Sequence, residues 1–463
     1  MGERSRELAL LLIGDAVFFM ISLWVTLAVR YMEWPSADNL RIHFHPFLIL
    51  TIVWVVVYFI AGLYDKHTNF LKSRLVSRII NAQVLNIIIA ALLFTIIPFG
   101  IAPKTNLVIY LLVSSGLVLW WRVKLFPKFS RKRTHRALLI ADGNEAHELV
   151  EEVNNNQRYN YVFVRMVDDY TAMHTPDFEK KLLQVIKDEH ITIIVANPRS
   201  TYIETFLPEL FDLAFLKFEF TFLDFYKVYE DTFDRVPLSA LRYDWFLEHV
   251  SQSRNTMYVI TKRIIDVVGS VCIGMIFLLL LPFIYVAMRI EGKGDIFIIQ
   301  ERFGQYNKPV TVYKLRTMTS NFSASSTWRT EDEKLGNVPT KVGTFLRKIS
   351  LDEVPQVWNI FKGNMSLIGP RNDIAGLGHR LAEEIPYYNL RNFVKPGVSG
   401  WAQTHQHYMG NNMSPQSLEE TRMRLAYDLY YVKNRSILLD IEIALRTIKT
   451  VLSRFGVTIK LPR

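Results

Sequence analysis

The densest chemistry in the sequence lies in Arg347-Lys348-Ile349-Ser350-Leu351-Asp352-Glu353-Val354-Pro355-Gln356. Two adjacent carboxylates, Asp352 and Glu353, follow two cations there. One reading is purely structural. Ser350 and Glu353 have the S-x-x-E spacing of a capping box ahead of an apolar stripe of Leu351, Val354, Val357, Trp358 and Phe361. Acidic residues in a first helical turn also complement the helix dipole. The chemical reading starts from the same place: a carboxylate held ionised at a helix N-terminus can attack phosphorus or bind a divalent cation, which singles out Asp352. Pro355 removes one helical donor and distorts the turn that presents it. Separate basic elements surround the pair. Arg347 precedes it. Ser366-Leu367-Ile368-Gly369-Pro370-Arg371 follows, a Gly-Pro turn ending in an arginine fork suited to phosphate. Tyr313-Lys314-Leu315-Arg316-Thr317-Met318 supplies Lys314 and Arg316 on a strand-like run upstream. One acidic pair among several cations suits phosphoryl transfer, where catalysis is mostly positioning and charge stabilisation.

A chain of 463 residues is too long for one compact domain, and about three units are expected. Four apolar blocks precede residue 127: Leu8–Val29, Phe47–Leu63, Val84–Phe99 and Leu107–Trp121, each near the ~20 residues that span a bilayer. Basic residues set their orientation. Arg4 and Arg6 precede the first block, Lys66, Lys72, Arg74 and Arg78 lie between the second and third, and Arg122, Lys124, Lys128, Arg131, Lys132 and Arg133 follow the fourth. The other two loops carry only Arg30, Arg41 and Lys104, so the N-terminus and the chain beyond the fourth span belong in the cytoplasm. Asp15 inside the first block is either functional or faces a neighbouring helix or the interface. The net charge of +10 clusters beside apolar blocks, which fits an anionic lipid surface and not nucleic acid. The single Cys272 excludes an intrachain disulfide.

A fifth apolar block, 264–290, has Lys262 and Arg263 before it and Arg289 and Lys293 after it. Equal charge at both ends favours neither side: a helix broken at Pro282 that enters the membrane and returns would keep both ends cytoplasmic, and a straight span would put the remaining C-terminal residues outside. Between the fourth and fifth blocks, Arg136–Ala141, Gly143–Val150, Tyr161–Val167 and Ile191–Ala196 read as βαβ punctuation. Only Gly143 stands where a dinucleotide fingerprint needs three glycines, so a working NAD site is not expected. The aromatic stretch Phe215–Tyr229 reads as core. Near the C-terminus, Ile437, Ile441, Leu445, Ile448 and Leu452 recur at helical spacing, either to lie on a membrane surface or to pack on the domain's own core.

Six blocks from Lys262 to about Val451 carry a resemblance: KRIIDVVGS at 262–270, QERFG at 300–304, YKLRTM at 313–318, SLDEVPQVWNIFKGNMSLIGPR at 350–371, VKPGVSGWAQ at 394–403 and YDLYYVKNRSILLDI at 427–441. They resemble the bacterial sugar transferases, the monotopic polyprenyl phosphate hexose-1-phosphate transferases. With the preceding segments, the whole chain looks like the large form of that family. The resemblance implies a four-span α-helical membrane bundle (1–130), a degenerate Rossmann-like cytoplasmic α/β domain (131–255) and a mostly α monotopic catalytic domain (256–463) whose re-entrant helix, 264–290, breaks at Pro282. It implies transfer of a hexose 1-phosphate from a UDP-sugar, UDP-glucose or UDP-galactose, to undecaprenyl phosphate with release of UMP, the first step of exopolysaccharide or capsule synthesis.

The same resemblance assigns roles. Asp352 matches the nucleophile that forms a covalent phosphosugar, and Glu353 its acidic partner. Mg²⁺ assists, with Asp352 as ligand. Arg347 and Gly369-Pro370-Arg371 match phosphate-binding elements, and Lys314 and Arg316 add to that set. A location in the bacterial cytoplasmic membrane, a homodimer and partner proteins of polysaccharide assembly are further expectations. The chain departs from the pattern at Leu281, where a serine is usual, at Glu291–Asp295, and at Thr404-His405-Gln406-His407-Tyr408 in place of an Asn-Gly-Arg run. The His405/His407 pair alone is weak as a metal site. A nucleotide-sensing regulator with an inactive transferase fold is the competing reading, and retention of the Asp352–Glu353 pair argues against it.

Overall fold

The N-terminal residues form long helices because they are apolar on nearly every face. Helix α1 spans Glu3–Tyr31, α2 Ala37–Ile60, α3 Lys72–Ile96 and α4 Lys104–Trp120. Each packs on two others, α1 and α3 each lying against α2 and α4. Phe19, Phe47, Trp54, Tyr58 and Tyr110 fill the centre, while Ile13, Val17, Ile52, Leu92 and Leu112 point outward. Apolar residues on the outer face as well as the inner one suit a lipid surround. Five of the described helices are long and apolar enough to cross a membrane, these four and one in the C-terminal half. The computed structural model describes residues 3–64, 72–97, 104–126, 135–156, 159, 161–168, 178–197, 221–238, 241–249, 256–292, 294–318, 338–406 and 415–454.

Asp15 takes the structural alternative. Its carboxylate is fully buried and accepts from Arg122 Nε at 3.0 Å, from Arg122 Nη2 and from the Tyr64 hydroxyl at 2.7 Å. Arg122, counted by sequence among the flanking cytoplasmic cations, is itself buried and also donates to the Leu63 carbonyl. An ion pair closed on a hydrogen-bonded tyrosine meets the cost of charge in an apolar bundle. Of the orienting cations, Lys66, Lys128, Arg131, Lys132 and Arg133 lie outside the described residues.

Four strands form a parallel sheet of order β2-β1-β3-β4: β1 His135–Ile140, β2 Tyr161–Val167, β3 Ile193–Ala196 and β4 Thr221–Asp224. Helix α5, Asn144–Asn155, follows β1, and α6, Phe178–Asp188, follows β2. Ala137–Ile140 and all of β3 are buried, as central parallel strands covered on both faces must be. Gly143, with φ +91°, turns the chain from β1 into α5, a conformation that favours glycine.

The chain divides into two compact units, Met1–Asp224 and Phe225–Thr458. This boundary differs from the expected one at 255/256. Helices α7, Phe225–Phe233, and α8, Tyr243–His249, pack in the C-terminal unit: Tyr226, Val236, Trp245 and Phe246 share a core with Ile368, Leu425 and Leu429. Buried aromatics look alike in sequence whichever core they enter. Phe225, Tyr226 and Tyr229 are buried as expected, whereas 215–220 lie outside the described residues.

Helix α9, Thr256–Glu291, runs 36 residues, about 54 Å at 1.5 Å per residue. It continues through Pro282, so the expected break there is not an interruption of the helix. Proline removes a single N–H, and the hydrogen bonds on either side carry the helix on. Asp266, Ser270, Phe277, Ile284 and Met288 form one buried stripe along its length, and the remaining faces expose Ile264, Val268, Ile276, Leu279, Phe283 and Ile290.

Four polar ties fasten α9 to the rest of its unit. Lys262 and Tyr258 reach Asp440, at 2.8 and 3.1 Å, on α15, Ile437–Arg454. Arg263 donates to the Ile360 and Phe361 carbonyls at 2.7 Å, at the C-terminal end of α11, Val357–Lys362. Asp266 accepts from Ser366 Oγ and the Leu367 N–H. Glu291 accepts from the Lys341 and Val342 N–H groups, which open α10, Lys341–Lys348. On α15, Ile441, Ile448 and Leu452 are exposed and Ile443 is buried, so the helix turns much of its apolar stripe outward.

Candidate active site

Asp352 sits between the two short helices that α9 caps. The chain leaves α10, turns at Ser350 with φ +59°, and enters a 3-10 turn, Leu351–Gln356, that leads into α11. The left-handed Ser350 does not cap the turn; its hydroxyl accepts from Arg454 at 3.1 Å. Glu353 does not reach back to it either. The capping box that the spacing allows is therefore not formed, because both of its side chains are taken by tertiary partners.

Glu353 takes up two cations. Its Oε1 accepts from Lys314 Nζ at 2.7 Å and from Arg371 Nη2 at 2.6 Å, and its Oε2 accepts from Arg371 Nη1 at 3.0 Å. Burial alone would raise this carboxyl, but Arg371 and Lys314 outweigh it and hold the group well below the usual carboxylate range. Lys314 is pushed down to about 8, by burial first and then by neighbouring Arg302, with Glu353 opposing. Lys314 belongs to β6, Pro309–Leu315, which pairs antiparallel with β5, Phe297–Phe303.

Asp352 differs from its neighbour. Among the described residues its carboxylate has no hydrogen bond and no ion pair. Burial raises its pKa, and Glu353 raises it further against the pull of Lys314, Arg347 and Arg371. In place of the dipole-held carboxylate expected from sequence stands one made more basic by its surroundings, by burial first and then by the second carboxylate alongside. Adjacent carboxyls driven in opposite directions are a feature of catalytic pairs.

Behind Arg371 stands a buried network. Arg391 donates to the Arg371 carbonyl at 2.6 Å, to Asp428 at 2.9 Å and to Asp373. Arg424 and Tyr388 reach Asp373 at 2.7 and 2.6 Å. These hydrogen bonds and cations overcome the upward push of burial and bring the Asp373 carboxyl to about 2. None of Asp373, Arg391, Arg424 and Asp428 was singled out by sequence reasoning; Asp428 lies within the YDLYY block, but nothing local signals that it is paired.

The other expected residues fall in different places. Arg347 donates to Thr317 Oγ1 at 2.8 Å and acts on Asp352 through its charge. Gly369 is a packing glycine: a Cβ there would lie 2.5 Å from the Lys395 carbonyl oxygen, and Gly397 and Gly400 approach it closely in turn. The Pro370 carbonyl accepts from Gly397 N–H. In the Gly369-Pro370-Arg371 turn it is thus Arg371 that faces the carboxylates. Arg316 turns away from Glu353 to the loop at 292–294, with its Nη2 3.5 Å from the Gly292 carbonyl. Lys314 and Arg316 stand two residues apart on one run, but β6 ends between them, at Leu315. His405 lies tilted against Trp401 with ring centroids 3.8 Å apart and stacks on Tyr427 at 5.7 Å, while His407 lies outside the described residues. No group of three or more His, Cys, Asp or Glu side chains that could hold a metal occurs among the described residues.

Residues 257–454 match the family model for bacterial sugar transferases. The chain is 35% identical over 200 residues to a UDP-N-acetylgalactosamine-undecaprenyl-phosphate N-acetylgalactosaminephosphotransferase of Aeromonas hydrophila, covering 43% of this chain and 45% of that one. It is 28% identical over 334 residues to an undecaprenyl-phosphate glucose phosphotransferase of Komagataeibacter xylinus, covering 70% and 60%. It is 32% identical over 203 residues to the exopolysaccharide production protein PSS of Rhizobium leguminosarum bv. phaseoli, covering 43% of this chain and 98% of that one. The chain thus spans about half the length of the first of these relatives.

Proposed function

Because this chain belongs to the bacterial sugar transferase family, we propose that it moves a sugar 1-phosphate from a UDP-sugar onto undecaprenyl phosphate. The observation that carries the reading is the Asp352 carboxylate, unpaired among the described residues, in the field of Glu353, Lys314 and Arg371. In the first step an Asp352 oxygen bonds to the phosphorus next to the sugar, the bond from that phosphorus to the bridging oxygen breaks, and UMP leaves with the electron pair. In the second step an oxygen of the lipid phosphate attacks the same phosphorus and the Asp352 carboxylate leaves. Arg371 and Lys314 stabilise the charge on the phosphoryl oxygens, and Glu353 holds both cations in place.

Mg²⁺ fits this donor set in one way only. Glu353 is committed to its cations, so Asp352 is the carboxylate available, and the remaining ligands would be substrate phosphate oxygens and water. The ion would supply charge neutralisation at the transferred phosphoryl group.

The α9 geometry supports a re-entrant reading with the catalytic residues on the cytoplasmic side. Its buried stripe contacts the unit near both ends, at Leu367 and at Leu346, and a straight span would draw those elements into hydrocarbon. The outward stripe of α15 supports contact with the same membrane surface. On this reading the parallel-sheet region is a degenerate Rossmann-like domain, the four N-terminal helices are cytoplasmic-membrane spans, and the product starts an exopolysaccharide or capsule repeat unit. A homodimer and regulatory partners complete the proposal.

The test is UMP release by the purified full chain with undecaprenyl phosphate and Mg²⁺, from UDP-glucose, UDP-galactose and UDP-N-acetylgalactosamine in turn. Release from at least one donor, dependent on the lipid, is expected; no release from any UDP-sugar would reject the reading. The pH profile is a second expectation. Attack needs Asp352 ionised, so the acid limb should lie above the ordinary aspartate range. Glu353 needs Lys314 charged, so activity should fall again near pH 8 as Lys314 loses its proton. Lys314→Arg should move the alkaline limb well upward; a limb that stays put would assign it to another group.

A further inference from the structure

Arg302, on β5, is a buried cation with no carboxylate in direct contact among the described residues, and Glu353 and Asp373 act on it only through space. Strand alternation puts it on the same face as Gln300, Val310, Val312 and Lys314. It is 8% exposed. Its Nη1 donates to the Asn372 carbonyl at 3.0 Å and to Asn372 Oδ1 at 3.2 Å, and its Nη2 donates to Gln300 Oε1 at 3.0 Å. Its Nε is buried without a hydrogen-bond partner, and so is Nδ2 of Asn372. Among the described residues no carboxylate pairs with it. Asn372 directly follows Arg371, so Arg302 and Arg391 hold two consecutive carbonyls of the turn that presents Arg371.

The charges are unequal. Lys314 and Arg371 share the one carboxylate of Glu353. Arg302 adds a third cation to that group, which leaves two positive charges over. Counting Arg347 and ionised Asp352 as well adds one charge of each sign and leaves that excess unchanged. Burying a guanidinium without a partner is costly, and the cost is removed when an anion of matching charge enters. The diphosphate of a nucleotide sugar carries two negative charges.

On the reading that this site takes a nucleotide sugar, we infer that Arg302 is its anion-retaining residue: its unbalanced charge sets the affinity for the diphosphate, and Arg302 Nε and Asn372 Nδ2 are the donors left for phosphate oxygens. The same side chain is a positioning residue for the Arg371 turn, and the two roles are separable.

The experiment is calorimetric titration of the purified full chain with UDP and with inorganic pyrophosphate, together with KM for the UDP-sugar, on wild type, Asn372→Asp, Arg302→Lys and Arg302→Gln. Asn372→Asp keeps the shape and the Arg302 contacts while supplying the missing counter-charge. It should weaken both ligands by about tenfold or more, raise KM in parallel, and leave the melting temperature unchanged or higher. Arg302→Gln should weaken binding similarly, and Arg302→Lys, which keeps the charge but loses the Nε donor, should bind several-fold more tightly than Arg302→Gln. Unchanged ligand affinity in Asn372→Asp would overturn the inference, as would Arg302→Lys binding as weakly as Arg302→Gln. If Arg302→Gln melts early, Asn372→Asp and Arg302→Lys decide. Wild type that binds UDP and pyrophosphate but releases no UMP would reject the proposed reaction and leave the inference standing on the binding data; wild type that binds neither anion overturns the inference itself.

Discussion

Asp352→Asn should lower UMP release by at least about 10³-fold and leave the protein as stable as the wild type. The two halves of this expectation come from the same observation. The Asp352 carboxylate has no hydrogen bond or ion pair among the described residues, so removing its charge breaks no direct contact there. Burial and Glu353 also raise its pKa. A carboxyl whose folded pKa lies above its unfolded value stabilises the fold only while protonated, and that contribution is lost as pH rises through the shifted range. At neutral pH the ionised group is a cost, which asparagine removes. The melting temperature should therefore hold or rise while turnover disappears. Steady-state UMP release beside a thermal melt in the same detergent reads both. Turnover above a few per cent of wild type would take the nucleophile's role away from Asp352.

Arg371→Ala should cost turnover about 10²–10³-fold, and for this residue stability should fall as well. Arg371 makes two hydrogen bonds to Glu353, and its removal leaves that carboxylate with Lys314 alone. Breaking a buried pair on one side costs up to about 3–5 kcal/mol, lessened where a second cation remains. Glu353 should then titrate at a higher pH than before, since the first charge holding it down is gone. Arg371→Lys should recover charge but not the two-pronged contact, and so regain only part of the rate. Kinetics, a melt and a pH profile on Ala and Lys variants check this. Wild-type rates in Arg371→Ala would remove it from the reacting centre.

The members of this site were legible in sequence to different degrees, for physical reasons. Asp352, Glu353, Lys314 and Arg371 stand out because their types suit phosphate chemistry, and the structure brings the last three into direct contact. Their division of labour was not legible. Lys314 and Glu353 are 39 residues apart, and only the fold reveals which carboxylate gains the cations and which stays bare. Local pattern suggested a capping box at Ser350, but the left-handed turn there and the pull of Arg371 override it. Arg316 carries the same charge as Lys314 two residues away, yet the end of β6 sends it to the 292–294 loop. Arg302 and the Asp373–Arg391–Asp428 network were invisible because a charged residue in a sequence reads as surface until its partners are known. The apolar helices, by contrast, follow from composition alone, with little help from tertiary contacts.

The two caps that α9 places around Asp352 have a consequence for how the site comes into being. Arg263 holds the carbonyls at 360 and 361, separated from it by 97 and 98 residues, and Glu291 holds the N–H groups at 341 and 342, separated by 50 and 51. Contacts over such distances along the chain pay a large loop-closure entropy and form late in folding. The segment bearing Asp352 gains neither cap until α9 exists along its full length. A chain whose α9 is incomplete thus carries Asp352, Glu353, Lys314 and Arg371 without the frame that holds them together.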